Sequence, residues 1–305
     1  MQLFDLHCDT LYEGYTKKYP LAKNDGHIDL LRAKRYAPYV QGMAVWIPEN
    51  LRGNAAWDFY CRVHAHAKEQ EEKHRASVVF WRKGESLYDL ISYKKTVALL
   101  AVEGGSVLGG DVTRISTLAA HGVRYLTLTW NGENELGHGC LSDKNAGLTA
   151  CGRAAVKALE QAGVLVDVSH LNETGFWDVE VCAEKPYIAT HSNAAAVTPH
   201  PRNLTDRQFD AIRDRGGLVG INLYRDFLGD PSFETIERHL VHFWERGGEH
   251  TVAFGCDFDG AQMPADWHGV AVMEQIAEFL YRKNYDSDLL SRLFFGNCYN
   301  FFTRL

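Results

Sequence analysis

Eight apolar, β-branched runs recur along this 305-residue chain, most of them separated by stretches with helical period, and that alternation leaves few folds open. The runs are LFDLHCD from Leu3, VQGMAVWI from Val40, TVALLAVEGG from Thr96, VRYLTLTW from Val123, VLVDVSH from Val164, YIATHS from Tyr187, LVGINLY from Leu218 and TVAFGCDFDG from Thr251. Strands that are apolar on both faces belong in parallel sheets covered by helices. Eight of them alternating with helices in about 300 residues predict a closed (β/α)8 TIM barrel of the α/β class. An open doubly wound sheet is the competitor, but the G-x-G-x-x-G turn of its dinucleotide-binding versions is missing.

The intervening segments carry helix punctuation. In TDRQFDAIRDRGG, Thr205 and Gln208 form a capping-box pair, Phe209 and Ile212 share a face, and Gly216 is the stop. In DPSFETIERHLVHFWERGG, Asp230 is the expected cap with Pro231 at the first helical position; Phe233, Ile236, Leu240 and Phe243 form an apolar stripe that ends before Gly247. The same logic predicts helices over 149–162 and 173–183. No Pro/Ser-rich linker or low-complexity tract divides the chain, so residues 1–305 read as one catalytic domain.

A net charge of -7 with scattered basic residues gives no electrostatic footprint for nucleic acid. Seven cysteines without a C-x-x-C spacing read as free thiols in a reducing compartment. No run approaches the roughly 18 apolar residues of a membrane span, and the first residues lack the features of a secretory signal, so the expectation is a cytoplasmic protein with no membrane partner. Trp177 and Trp244, read as surface-prone, leave room for a homodimer.

Barrels bind ligands at the C-terminal ends of their strands, so what terminates each run is informative. The first run ends in His7 and Asp9, which an extended chain points to the same side. The third stops at Glu103, the fifth at His170, the sixth at His191 and the eighth at Asp257, with Asp259 two residues on and on the same face. Singly, each has a structural explanation: Glu103 or Asp257 as a cap, the histidines as core residues. Jointly, imidazoles and carboxylates without cysteine at one rim suit zinc or a similar divalent ion, and five ligands suit two ions that share a carboxylate. His64, His66 and His74 read as a solvated helix face, and His121, His239, His242, His250 and His268 as structural.

These residues resemble the membrane (renal) dipeptidase family of zinc dipeptidases, within the amidohydrolase-like barrels. DLHCDTL is similar to the family's D-x-H-x-D start, VEGG to its bridging-glutamate turn, GVRYLTLT to its fourth strand, and GVLVDVSH and ATHSNA to its histidine strands. HPRNLTD resembles its arginine loop, GCDFDG its eighth-strand aspartate, and Gly296-Asn297 a C-terminal Gly-Asn element. The resemblance implies two zinc ions per chain, the first on His7 and Asp9, the second on His170 and His191, with Glu103 bridging. It implies hydrolysis of a dipeptide by a hydroxide between the ions, with Asp257 as acid/base, Arg202 on the substrate carboxylate and Tyr224 assisting.

One position departs from the family, whose fourth strand often ends Thr-His; here Thr129-Trp130 is followed by Asn131. Indole donates a hydrogen bond but accepts no charge, so Trp130, Asn131 or His138 would have to take over the contact with the substrate oxygen. Cys8 and Cys256, inside ligand motifs, are expected to alter packing more than chemistry. Two alternatives stay open because a fold does not settle chemistry: another metal-dependent hydrolase acting on lactones, phosphoesters or cyclic amides, and a metal-binding homologue without turnover.

Overall fold

Residues 1–304 are described by the computed structural model. The strands are β1 (Leu3–Cys8), β2 (Tyr39–Trp46), β3 (Val78–Phe80), β4 (Thr96–Glu103), β5 (Val123–Thr127), β6 (Leu165–Asp167), β7 (Val219–Ile221) and β8 (Val252–Phe254). They pair in the order β6-β5-β4-β2-β1-β8-β7, all in parallel, with β3 attached to β4. The expected sixth strand forms only single-residue parallel bridges, Asp167 with Ile188 and Ala189 with Val219, which join β6 to β7 and close the curled sheet. Its backbone is nonetheless bonded on both sides: the Val168 N–H donates to Ile188 O at 2.8 Å and the Ala189 N–H to Leu218 O at 2.9 Å. The α/β barrel architecture is therefore as expected, with residues 188–189 as a minimal stave.

β3 is a departure from the sequence reading. It pairs with Thr96–Ala98 at the start of β4, while β5 pairs with Leu100–Glu103 at its end, so two short strands share one edge of a longer one. The three apolar residues are too few to register as a periodic run.

Alternation along the strands explains how the rim is built. On β4 the residues Val97, Leu99 and Ala101 fill the barrel interior together with Val40 and Ala44 of β2 and Tyr125 of β5. The same parity carried upward delivers Glu103 and Trp46 to the rim. Below, Phe4 stacks on Phe302 of the C-terminal helix at 5.4 Å, which seals the opposite end. The alternate residues, among them Met43, Val45, Ala98, Leu100 and Val102, pack outward under the helices.

The helix from Asp206 to Asp214 starts with the expected capping box of Thr205 and Gln208. Helices Ala150–Ala162 and Glu173–Cys182 are capped by Thr149 and Asn172. In the helix Phe233–Glu245, Ser232 caps instead of Asp230: its hydroxyl accepts from the Thr235 N–H, because Pro231 lies one residue outside the first turn. Two surface readings also change. Trp244 is buried against Tyr285, and His64 stacks on His121 at 4.1 Å instead of facing solvent. All seven cysteines are free. Among the described residues no helix is long and apolar enough to cross a membrane.

Candidate metal centre and substrate cavity

Six of the side chains singled out at the strand ends meet at the rim. His170 Nε2 lies 2.8 Å from Glu103 Oε1, and His191 Nε2 lies 3.3 Å from the same oxygen. His7 Nε2 lies 3.7 Å from Glu103 Oε2, 3.7 Å from Asp9 Oδ2 and 3.9 Å from Asp257 Oδ1. Glu103 thus stands between a His7/Asp9 pair and a His170/His191 pair, and ligand atoms of each set lie within 4.8 Å of one another. His7, Asp9, Glu103, His170 and His191 are all buried.

Hydrogen bonding fixes which ring nitrogens carry lone pairs. The Asp167 carboxylate accepts from the Thr190 hydroxyl at 2.7 Å, so that hydroxyl can only accept from His191 Nδ1, also at 2.7 Å. The Asn131 carbonyl oxygen lies 2.8 Å from His170 Nδ1 and accepts its proton. Both Nε2 atoms are thereby left as lone-pair donors, 2.9 Å apart, with a carboxylate oxygen beside them. A shared proton does not resolve this repulsion: burial, followed by the Arg202 charge, holds His170 down to about 4, and burial, followed by His7, holds His191 far below its usual range. Both His7 ring nitrogens and Asp9 Oδ1 are buried without any partner. Two unprotonated imidazole nitrogens buried against each other and a carboxylate, beside the further buried donors of His7 and Asp9, fit a cluster of divalent cations.

Other charges follow from the crowding. Burial, then repulsion from Glu103, pushes Asp9 up to about 7. Burial is also the largest influence on Asp257, whose carboxyl is raised although the His7 charge opposes it. Asp257 Oδ2 accepts from Asn222 Nδ2 at 3.0 Å, which leaves Oδ1 toward the histidines. Gly260 packs against both acids: a Cβ there would stand 2.1 Å from Asp9 Oδ2 and 2.6 Å from Asp257 Oδ1.

Above the donors opens a cavity of about 510 Å³ whose walls include Trp46, Trp130, Asn131, Tyr224, Phe227 and Asp257. The Tyr224 hydroxyl donates to Asp226 at 2.9 Å, so the ring, more than its polar tip, meets the cavity. Arg202 is buried; it donates to His191 O at 3.0 Å and Ser192 Oγ at 3.3 Å, lies over the Phe227 ring, and its Nε has no partner. His138 does not line the cavity and has Glu133 as its nearest acid, at 3.8 Å. Asp259 stays out of the donor cluster: it accepts from the Thr10 hydroxyl at 2.6 Å and from the His27 N–H at 2.5 Å, latching the 24–29 segment over β1.

Sequence reasoning passed over the carboxylates beneath the donors. Asp5 accepts from the His7 N–H at 2.9 Å, Gln41 Nε2 at 2.9 Å and the Cys256 N–H at 3.1 Å, tying β1, β2 and the end of β8. Asp167 accepts from the Thr127 hydroxyl at 2.6 Å and from the N–H groups of Ser169 and Thr190 at 3.0 Å. The signal was an acid two residues before His7 and three before His170, inside otherwise apolar runs.

Comparison with known proteins shows what the chain is related to. The family model described as membrane dipeptidase (peptidase family M19) matches residues 1–304. An uncharacterized protein in the pqqA 5' region of Klebsiella pneumoniae is 38% identical over 217 residues, covering 67% of this chain and 80% of its own. A metallo peptidase from Rhodobacter sphaeroides, liganded with a phosphinate mimic of the dipeptide L-Ala-D-Ala, superposes with a TM-score of 0.90 at 28% identity over 98% of both chains. Dipeptidase AC, of the same family M19, gives a TM-score of 0.89 at 30% identity over 98% of this chain and 97% of its own.

Proposed function

The chain belongs to the membrane dipeptidase family, and from that premise we propose that it is a zinc-dependent dipeptidase that holds two ions at the rim of its barrel. The observation that carries this reading is the pair of lone-pair nitrogens, His170 Nε2 and His191 Nε2, 2.9 Å apart and both against Glu103. His7 and Asp9 would hold one ion and His170 and His191 the other, with Glu103 available to both. Two divalent ions there would supply a water whose pKa falls from about 15.7 to about 7 and would polarise a carbonyl oxygen.

The chain's own residues do the rest. Arg202 is a buried guanidinium that cannot lose its proton, and its unpartnered Nε is free to pair with a carboxylate. A free C-terminal carboxylate bound there sets the scissile bond one residue away, over the donor cluster, and so limits the substrate to a dipeptide; the L-Ala-D-Ala mimic carried by the Rhodobacter sphaeroides relative supports that class. Asp257 Oδ1 takes the proton released by the attacking water and passes it to the leaving amine, while Asn222 holds Oδ2 and with it the carboxyl plane. The Asn131 carbonyl oxygen is committed to His170, which leaves its amide N–H toward the cavity, beside Trp130, to donate to the carbonyl oxygen of the scissile bond. Tyr224 contributes a wall.

The test is hydrolysis of L-L and L-D dipeptides by protein stripped with chelator and reloaded with zinc, alongside Asp257→Asn. Activity is expected to vanish on stripping and return with zinc, and Asp257→Asn to retain metal while losing orders of magnitude in turnover. Hydrolysis that survives exhaustive stripping refutes the metal reading.

A further inference from the structure

One wall of the cavity is aromatic. Trp46 and Trp130 meet edge-on with ring centroids 5.3 Å apart, and Tyr12 meets Trp46 at 4.9 Å and 87°. Trp130 also lies 5.8 Å from the His170 ring, so the wall begins where the donor cluster ends. All three line the same cavity as Asp9, Glu103 and Asp257. Trp46 ends β2 and Trp130 follows β5, so the two flank Glu103 on β4. Arg202 follows the 188–189 stave, four places round the barrel from β2 and two from β5, so Trp46 is the part of the wall opposite it and Trp130 stands between.

The wall is held rigid from behind. Tyr12 packs on Phe59 at 6.1 Å. The loop after β5 is tied to the loop after β2 twice: the Gly132 N–H donates to Glu49, and Arg52 Nη2 donates to Glu133 O at 2.8 Å. Neither indole offers an acceptor. Three aromatic rings packed on one another offer a substrate side chain a broad apolar face, which an aromatic or aliphatic group covers better than a polar one.

Resting on the dipeptidase reading, we propose that Trp130, with Trp46 and Tyr12, is a specificity-determining surface that selects dipeptides whose amino-terminal residue carries an aromatic or bulky apolar side chain. With the carboxylate on Arg202 and the scissile carbonyl at the donor cluster, the amino-terminal side chain is the part of the substrate left to reach the opposite wall. Aromatic packing of that kind adds to simple burial, and one methylene's worth of apolar fit already discriminates about 10-fold or more.

The experiment compares kcat/KM of the zinc-loaded protein for Phe-Ala, Leu-Ala, Gly-Ala and Asp-Ala, in the wild type, Trp130→Phe and Trp130→Ala. Binding of the corresponding non-hydrolysable phosphinates is read by tryptophan fluorescence. Phe-Ala is expected to exceed Gly-Ala by at least about tenfold. Trp130→Phe should keep most of that ratio, and Trp130→Ala should bring it toward one in both turnover and binding. Equal kcat/KM for Phe-Ala and Gly-Ala, or a ratio that survives Trp130→Ala, overturns the inference and leaves the dipeptidase reading standing. Failure to hydrolyse any of the four or their D-Ala counterparts removes the dipeptidase reading, and this inference with it.

Discussion

Gly260→Ala probes the donor cluster without removing any donor. The added methyl carbon would lie 2.1 Å from Asp9 Oδ2 and 2.6 Å from Asp257 Oδ1, where ordinary contact begins at 3.4 Å. The Asp9 oxygen must therefore retreat by about 1.3 Å and the Asp257 oxygen by about 0.8 Å. Metal sites hold ligand distances to about 0.2 Å, and a misplacement near 1 Å costs on the order of 100-fold in rate. The fold itself should bear the change, because both obstructing atoms are side-chain ends and Gly260 is outside the left-handed region. The expected outcome is a melting temperature within a few degrees of wild type, reduced zinc content by elemental analysis, and kcat/KM lower by roughly 100-fold or more. Full zinc content with unchanged kinetics would show that neither acid contributes to the reaction, and the assignment of the centre would fall with it.

Two further outcomes test the surroundings. Arg202→Lys keeps the charge but loses the planar fork and its unpartnered Nε, so KM for a dipeptide should rise at least tenfold with metal content unchanged; unaltered KM would remove the carboxylate role. His239 is fully buried and accepts from the Ala194 N–H at 3.2 Å; burial holds it down to about 4, below an unfolded value near 6.5. The unfolded chain then binds the extra proton first, so the contribution is intact above pH 6.5 and is lost as pH falls toward 4, on the order of 3 kcal/mol. Urea unfolding of wild type and His239→Gln between pH 7 and 4 should show the flatter profile in the variant.

The sequence was most legible where local pattern and tertiary role coincide. Apolar runs declared every stave, and the polar residues that end five of them declared the rim, since one parity carries both the packed interior and the donor above it, as from Val97 to Glu103. The capping box at Thr205 is readable for the same reason: its partners are three residues apart. What escaped depends on neighbours distant in sequence. β3 is too short to show a period, and it exists because the first part of β4 has a free edge. The Ser232 cap lies two residues beyond Asp230, and the two differ only in where the backbone turns. Asp259, read as sharing a face with Asp257, faces Thr10 and His27 instead, because both aspartates have positive φ and the chain there is not extended.

That unusual backbone is itself part of how the centre is built. Among the described non-glycine residues with positive φ, His170, Asp257 and Asp259 sit at φ 68, 63 and 67 on the rim, where the chain turns sharply as it leaves β6 and β8. Each such residue costs about 1–3 kcal/mol, a sizeable share of a domain's net stability of about 5–15 kcal/mol, so the turns must be over-determined by their surroundings. The backbone of His170 is held by the Cys140 N–H, which donates to its carbonyl at 2.8 Å, and that of Asp257 by its own N–H, which donates to His7 O at 3.1 Å. Beneath them, Asp167 gathers the strands that carry His170 and His191, and Asp5 gathers those that carry His7 and Asp257. The two halves of the donor cluster thus rest on separate buried carboxylates, each satisfied by backbone and side-chain donors, and Glu103 on the eight-residue β4 is the element common to both.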